Sequence, residues 1–210
     1  MVLSSVVRLL AVALLLGTAL LGAGAVVHPL LTGDPAADLR IIAATSHWRV
    51  IHLAMLAGSG LVIAGIWVRL AHDQSGLRAP VLAALAVIAL GEAVNALNTA
   101  FMAGAGWRMA TLFQQGDGVM PRVFDVTHPI GLVAARFGNF LVALGAGALG
   151  WAEWEDRAQP RLLSALAWIA ALGGIAGVFF YDEANRAALA GVALLSGWQV
   201  VTAVRALGES

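Results

Sequence analysis

Six apolar stretches, each about as long as a helix that crosses a bilayer, follow one another along this 210-residue chain. A spanning helix needs about 20 mainly apolar residues, because it rises about 1.5 Å per residue through a hydrocarbon core about 30 Å thick. Apolar residues make up 60% of the chain, charged residues make up 11%, and the mean hydropathy is +0.87. Soluble domains contain fewer apolar residues and more charged residues, and their mean hydropathy is lower. The sequence therefore predicts an all-α, polytopic integral membrane protein: a bundle of six transmembrane helices.

The residues that break the apolar stretches set the predicted helix boundaries. Every proline falls at the end of a stretch or between two stretches, where its missing N–H is tolerated. The connections are too short for a separate soluble domain, so we expect a single transmembrane domain over residues 1–210. The predicted helices are Val6–Val27, Trp48–Leu70, Pro80–Ala103, Pro129–Trp151, Leu162–Phe180 and Ala187–Val204.

Arginine sets the predicted orientation, since the chain contains no lysine. With the N-terminus in the cytoplasm, six arginines lie on the cytoplasmic side and five on the outer side, and acidic residues collect in the long outer connections. This pattern predicts a multi-pass protein of the bacterial inner (plasma) membrane with both termini in the cytoplasm. The alternative for residues 1–25 is a cleaved signal peptide ending at the small residues Ala23-Gly24-Ala25. The apolar run continues through Val26 and Val27, which favours a retained helix.

Charge and cysteine content exclude several classes of function. The net charge is zero, so no basic face for nucleic acid is present. The chain has no cysteine, which excludes disulfides, thiolate metal sites, Fe–S ligation and thiol catalysis. The expected partners are the lipid bilayer, a small polar ligand, and a second copy of the chain or another subunit of a membrane complex.

Polar residues within two predicted helices indicate a candidate pocket. Glu92, Asn95 and Asn98 lie three residues apart on the third predicted helix, and Arg136 and Asn139 have the same spacing on the fourth. Counted at about 1.5 Å per residue, the two sets lie at similar depths. Because charges at membrane depth need partners, we expect a buried Glu92–Arg136 couple braced by asparagine amides. That couple serves either as a substrate or proton site or as a clasp that fixes helix register.

Four of the five histidines fall at one predicted boundary of the membrane. They are His28, His47, His52 and His128, and His52 also joins the predicted pocket. Imidazoles from different helices can ligate a divalent metal or the iron of a b-type haem. His47 and His52 are five residues apart, whereas ligands from one helix face are normally four apart. A histidine at a helix end also commonly serves as a cap or an interfacial hydrogen bonder.

Three functions remain open from the sequence. The first is binding or transport of a small polar or anionic molecule in an outward-facing pocket, with Arg136 as its anchor. The second is a haem- or metal-binding redox protein that uses the histidines. The third is a structural or assembly subunit whose polar residues lock the bundle. No motif decides whether the chain is an enzyme.

Overall fold

The computed structural model describes residues 2–71, 78–155, 161–179 and 189–209 of the chain. Over these ranges the backbone is almost entirely helical and forms no strand. The helices are α1 (Val2–Val27), α2 (Pro35–Ala44), α3 (Trp48–Gly65), α4 (Val68–Ala71), α5 (Arg78–Phe101), α6 (Trp107–Gln114), α7 (Met120–Glu155), α8 (Arg161–Phe179) and α9 (Leu189–Glu209). A π-helical segment, Met102–Gly106, joins α5 to α6.

Six helical spans in the described part of the chain are long and apolar enough to cross a membrane. They are Ser5–Val27, Trp48–Leu70, Ala79–Gln114, Met120–Glu155, Arg161–Phe179 and Ala190–Gly208. Large apolar side chains such as Leu9, Ile130 and Leu172 are exposed on these spans, where a bilayer supplies lipid contacts. The predicted all-α bundle of six helices is confirmed, and the fold is compatible with a multi-pass membrane protein.

The predicted helix boundaries agree with the structure to within a few residues for α3 with α4 and for α8. The end of the fifth predicted helix at Phe180 and the start of the sixth at Ala187 lie outside the described residues. The fourth predicted helix begins at the wrong residue, because α7 begins at Met120 and Pro129 lies inside it. Membrane helices tolerate an internal proline where neighbouring helices support the backbone.

Packing explains why α7 continues through Pro129. The ring of Pro129 removes the N–H that would bond to the carbonyl of Asp125 four residues earlier. Phe124 and His128, also four residues apart, share one face of the helix, and both are buried. The turns before Pro129 are therefore fixed by side-chain contacts that a single missing hydrogen bond does not outweigh.

The connection between the first two spans is itself folded, which the sequence analysis does not predict. Asp34 caps α2 by accepting a hydrogen bond from the Ala37 N–H at 2.6 Å. Asp38, which is buried, accepts hydrogen bonds from the Thr32 N–H at 2.6 Å and from the Thr32 hydroxyl at 2.7 Å. These bonds are local and fix the conformation of the connection itself.

The folded connection caps one end of the bundle with its own apolar core. In this core α2 packs on α6 and α7. Its buried members are Leu31, Leu39, Ile42, Trp48, Met102, Met109, Ala110 and Phe124. We call this end, which also carries His28 and His52, the histidine end. The opposite end, where Arg69 and Glu153 are buried, we call the Arg69 end.

The six spans form a closed ring. Along the chain, α1 packs on α3, α3 on α5, α5 on α7, α7 on α8 and α8 on α9, and α9 returns to pack on α1. The contact between α5 and α7 is the most extensive of these. Side chains that point to the inside of a ring can meet side chains from helices that are not their neighbours.

Glycine pairs bring neighbouring helices to backbone contact. A Cβ atom added at Gly91 would lie 2.7 Å from the Gly138 carbonyl oxygen, and one added at Gly138 would lie 2.7 Å from the Gly91 carbonyl oxygen. Gly17 and Gly58 are placed in the same way between α1 and α3. Small residues that allow close approach are the usual basis of helix packing in lipid, and these pairs set the spacing of the ring.

We predict that Gly138→Ala destabilises the bundle, because the added methyl group overlaps the α5 backbone. Overpacking of this kind costs about 1–3 kcal/mol, so the melting temperature in detergent should fall. Gly22→Ala is the matched control, since a Cβ atom at Gly22 meets nothing within 4 Å. Equal melting of the two variants would contradict the packing described for α5 and α7.

We predict that the histidine end faces the outside of the cell. Gln115 and Glu155 are exposed at the two ends of the bundle, and the chain has no native cysteine. An impermeant maleimide applied to intact cells should label Gln115→Cys, and it should label Glu155→Cys only after permeabilisation. The reverse pattern would place the histidine end in the cytoplasm.

Candidate functional site

Four buried polar side chains from four helices meet inside the ring. They are Thr18 of α1, Ser59 of α3, Glu92 of α5 and Gln199 of α9, and each is only 1–4% exposed. The Glu92 carboxyl lies within hydrogen-bonding reach of the Gln199 side chain. Because α5 and α9 are not neighbours in the ring, this contact crosses its interior. We call these four residues the central cluster.

Hydrogen bonds within the central cluster connect Thr18 to Gln199 and Gln199 to Glu92. The Thr18 hydroxyl lies 2.8 Å from the Leu14 carbonyl oxygen and 3.0 Å from Gln199 Oε1. Since Gln199 Oε1 faces Thr18, the amide NH₂ of Gln199 is the group that donates to the Glu92 carboxyl. A neutral amide is thus the donor to this carboxyl, and the two residues form no ion pair.

One carboxyl oxygen of Glu92 remains without a hydrogen bond. Within the described residues neither Glu92 Oε2 nor the Ser59 hydroxyl has a hydrogen-bond partner, although the hydroxyl lies close enough to influence the carboxyl. The two groups are neighbours without a well-formed hydrogen bond. A buried carboxylate with so few donors is costly. A proton or a small cation bound at Oε2 would remove that cost.

The central cluster lies near the middle of the helical spans that are long enough to cross a membrane. Trp48 Nε1 donates to the Met102 carbonyl oxygen at 3.0 Å, which fixes α3 and the end of α5 at one level. Ser59 is eleven residues from Trp48 and Glu92 is ten from Met102. At about 1.5 Å per residue both lie about 15–17 Å from that level, which is half of a hydrocarbon core about 30 Å thick.

At the histidine end, three aromatic rings form a compact group. The centroid of His28 lies 4.9 Å from that of Trp48 and 5.1 Å from that of His52, and the Trp48–His52 distance is 4.4 Å. His28 Nδ1 lies 2.7 Å from the Pro29 carbonyl oxygen, and His52 Nδ1 lies 2.8 Å from the Trp48 carbonyl oxygen. Burial, with a smaller contribution from the nearby His52, lowers the pKa of His28 to about 4. The His28 ring is therefore neutral at pH 7.

His128 approaches the same end from α7. It is 6% exposed and stacks on Phe124 with ring centroids 4.4 Å apart, and it lies parallel to Phe101 at 6.4 Å. His128 is also close enough to His28 to contribute to the lowered pKa of the His28 ring. The structure thus brings three of the four predicted histidines into one region.

His47 does not join this group. It is exposed at the start of α3, where its side chain makes no capping hydrogen bond. Five residues separate it from His52, which places it about 140° around the helix from the buried ring. Within the described residues, no three His, Asp or Glu side chains converge closely enough to hold a metal ion as they stand. The predicted metal and haem sites stay predictions.

The structure does not bring Glu92 and Arg136 together as a buried couple. Arg136 is exposed on α7. Gly138 is one of the α7 residues that touch α5, and Arg136 comes two residues earlier, about 200° around the helix. Glu92 points into the ring toward Gln199 and Ser59 instead. The depth of a residue can be counted along its helix, but the rotation of the helix cannot. For this reason the expected Glu92–Arg136 couple is wrong.

The three asparagines of the predicted pocket do not join Glu92 in the central cluster. Asn95 lies against Gly138, and the Asn98 side-chain oxygen faces Gly131, so both are placed at the seam between α5 and α7. Asn98 Oδ1 has no hydrogen-bond partner among the described residues. Asn139 is half-buried on α7. A spacing of three residues turns Asn95 about 60°, and Asn98 about 120°, around α5 away from Glu92.

A buried ion pair at the Arg69 end is a feature that the sequence analysis misses. Arg69 of α4 donates to Glu153 of α7, and the two side chains are 8% and 5% exposed. In the sequence both residues fall near predicted helix ends, where charges are usually solvated. Glu153 is buried near the end of the long helix α7, and the sequence composition does not reveal this burial.

We predict that Arg69→Met and Glu153→Gln each destabilise the protein by about 3–5 kcal/mol, since each leaves a buried charge without its partner. The double variant should lose less than the sum of the two. Glu155→Gln, two residues away and exposed, is the control and should leave the melting temperature unchanged. Additive losses in thermal melts would show that the pair contributes nothing as a pair.

Comparison with family models, with curated proteins and with solved structures finds no match to this chain.

Proposed function

We propose that this protein binds and moves a proton, or a small cation of equal charge, through the interior of its helix ring, with Glu92 as the carrier. The observation that carries the proposal is a buried carboxyl within a long apolar span, whose second oxygen has no hydrogen-bond partner among the described residues. A proton entering from the histidine end binds Glu92 Oε2 and leaves toward the Arg69 end. The orientation in a bacterial inner membrane, with both termini cytoplasmic, remains part of this proposal.

The unsatisfied groups favour a working site over a structural clasp. Buried polar groups that only hold helices together are normally fully hydrogen-bonded, because an unmade bond costs about 1–3 kcal/mol. Glu92 Oε2 and the Ser59 hydroxyl both lack well-formed bonds in the described residues. Carboxyl groups buried within membrane spans commonly mark proton relays or ion pathways.

Polar side chains continue from the central cluster toward both ends. On α3, His52 is seven residues from Ser59, and on α5 the buried Thr99 is seven residues from Glu92. Seven residues make about two turns, so each pair shares one helix face over about 10 Å. On α9, the buried Thr202 follows Gln199 by three residues toward the Arg69 end. Water molecules between these groups would complete a path for protons.

The proposal is tested by proton flux in proteoliposomes. A potassium gradient with valinomycin sets the membrane potential, and an entrapped pH-sensitive dye reports proton entry. We expect the wild-type protein to raise the flux above that of empty liposomes, and Glu92→Gln to lower it at least about tenfold. Glu155→Gln changes an exposed carboxyl and should keep the wild-type flux.

Folding and activity are separated by a second variant. Ser59→Ala removes a hydroxyl beside the carboxyl without removing the carrier, so it should change the flux less than Glu92→Gln does. Each variant is checked by gel filtration and by its melting temperature. Wild-type flux equal to that of empty liposomes, or a folded Glu92→Gln variant with full flux, would overturn the proposal and favour a structural subunit.

The predicted binding of an anionic molecule receives less support than proton or cation movement. Its intended anchor, Arg136, is exposed on α7, on the side away from α5. The central cluster contains one carboxyl and three neutral groups, so a positive charge suits it better than a negative one.

A further inference from the structure

The two close histidines at the histidine end hold the same tautomer. His28 Nδ1 lies 2.7 Å from the Pro29 carbonyl oxygen and His52 Nδ1 lies 2.8 Å from the Trp48 carbonyl oxygen. A carbonyl oxygen only accepts hydrogen bonds, so each Nδ1 carries a hydrogen, and in a neutral ring the lone pair is on Nε2. Metal-binding histidines have this arrangement, in which the second ring nitrogen donates to a backbone carbonyl.

The distance between the two ring centroids is compatible with a shared metal ion. Zinc–nitrogen bonds of about 2.0–2.1 Å place two ligand nitrogens about 3–4 Å apart. The centroids of His28 and His52 are 5.1 Å apart and the rings meet edge to face at 74°. In addition, these histidines come from the connection after α1 and from α3, so the backbone that fixes each of them is independent of the other.

We propose that the Nε2 atoms of His28 and His52 bind a divalent ion of the zinc and copper class, with His128 as the third ligand. This site is separate from the central cluster. His128 is buried and close to His28, but the three rings do not converge in the structure as it stands. Binding therefore includes a side-chain movement of His128 toward the pair, and water completes the coordination.

The chemistry of the pair selects a cation. Two Nε2 lone pairs accept bonds, so they offer nothing to an anion or a carbonyl group. Imidazole nitrogen suits zinc, copper, iron and nickel rather than magnesium or calcium. The Trp48 ring already packs against both imidazoles at 4.9 and 4.4 Å, and a bare ion needs less room beside them than a haem macrocycle does. A bare ion is therefore favoured over haem.

The test is a competition titration of the purified, EDTA-treated protein with zinc and then copper(II), using a chromophoric chelator. We expect one tightly bound ion per chain, and affinities lowered at least about tenfold by His28→Gln and by His52→Gln. His128→Gln should lower the affinity by a smaller factor. His47→Gln removes an exposed histidine at the same end and should leave the affinity unchanged.

The proposal is wrong if His47→Gln weakens binding as much as the buried variants do, or if His28→Gln and His52→Gln bind as tightly as the wild type. X-ray absorption of the zinc-loaded wild-type protein gives an answer that does not depend on variants folding. Two or three imidazole ligands support the site, and fewer than two overturn it.

Discussion

The backbone contact between Gly91 and Gly138 determines much of the chemistry of this bundle. It fixes how α5 and α7 are rotated about their axes, because the two glycines must face each other. Once Gly91 faces α7, Glu92 is turned about 100° from that seam and points to the interior of the ring. Once Gly138 faces α5, Arg136 is directed away from it. The identity of two glycines thus decides which charged group lies inside.

The closed ring explains why the central cluster lies inside the bundle, next to seams formed by small residues. At the seams, backbones approach so closely that little room remains for a side chain, as between Gly17 and Gly58. Side chains next to these seams on α3 and α5, Ser59 and Glu92, point inside the ring. Lipid cannot hydrogen-bond to them, so they turn toward one another. The central cluster is a consequence of where the small residues lie.

Much of the fold was accessible from the sequence, because the number and approximate length of the spans follow from hydropathy. The start of α7 could not be predicted, because Pro129 normally indicates the end or start of a helix. Here the packing of Phe124 and His128 outweighs the effect of the proline. The position of Glu92 along its helix could be counted from the sequence, because the rise per residue is constant. Its partner could not be predicted, because rotation depends on contacts between helices far apart in the chain.

The positions of the histidines were also only partly predictable from the sequence. Their common level was predicted from their positions beside the spans, and three of the four are found in one region. Which three depends on helix rotation and on the fold of the first connection. His47 is excluded by its angular offset from His52, and His28 joins because its ring packs against Trp48. The hydrogen bonds that fix the His28 and His52 tautomers involve backbone carbonyls, which every sequence supplies, so no pattern of residue types could have indicated them. What distinguishes these rings from ordinary buried histidines is that two neutral imidazoles lie against each other and against one indole ring, and this is a property of the fold.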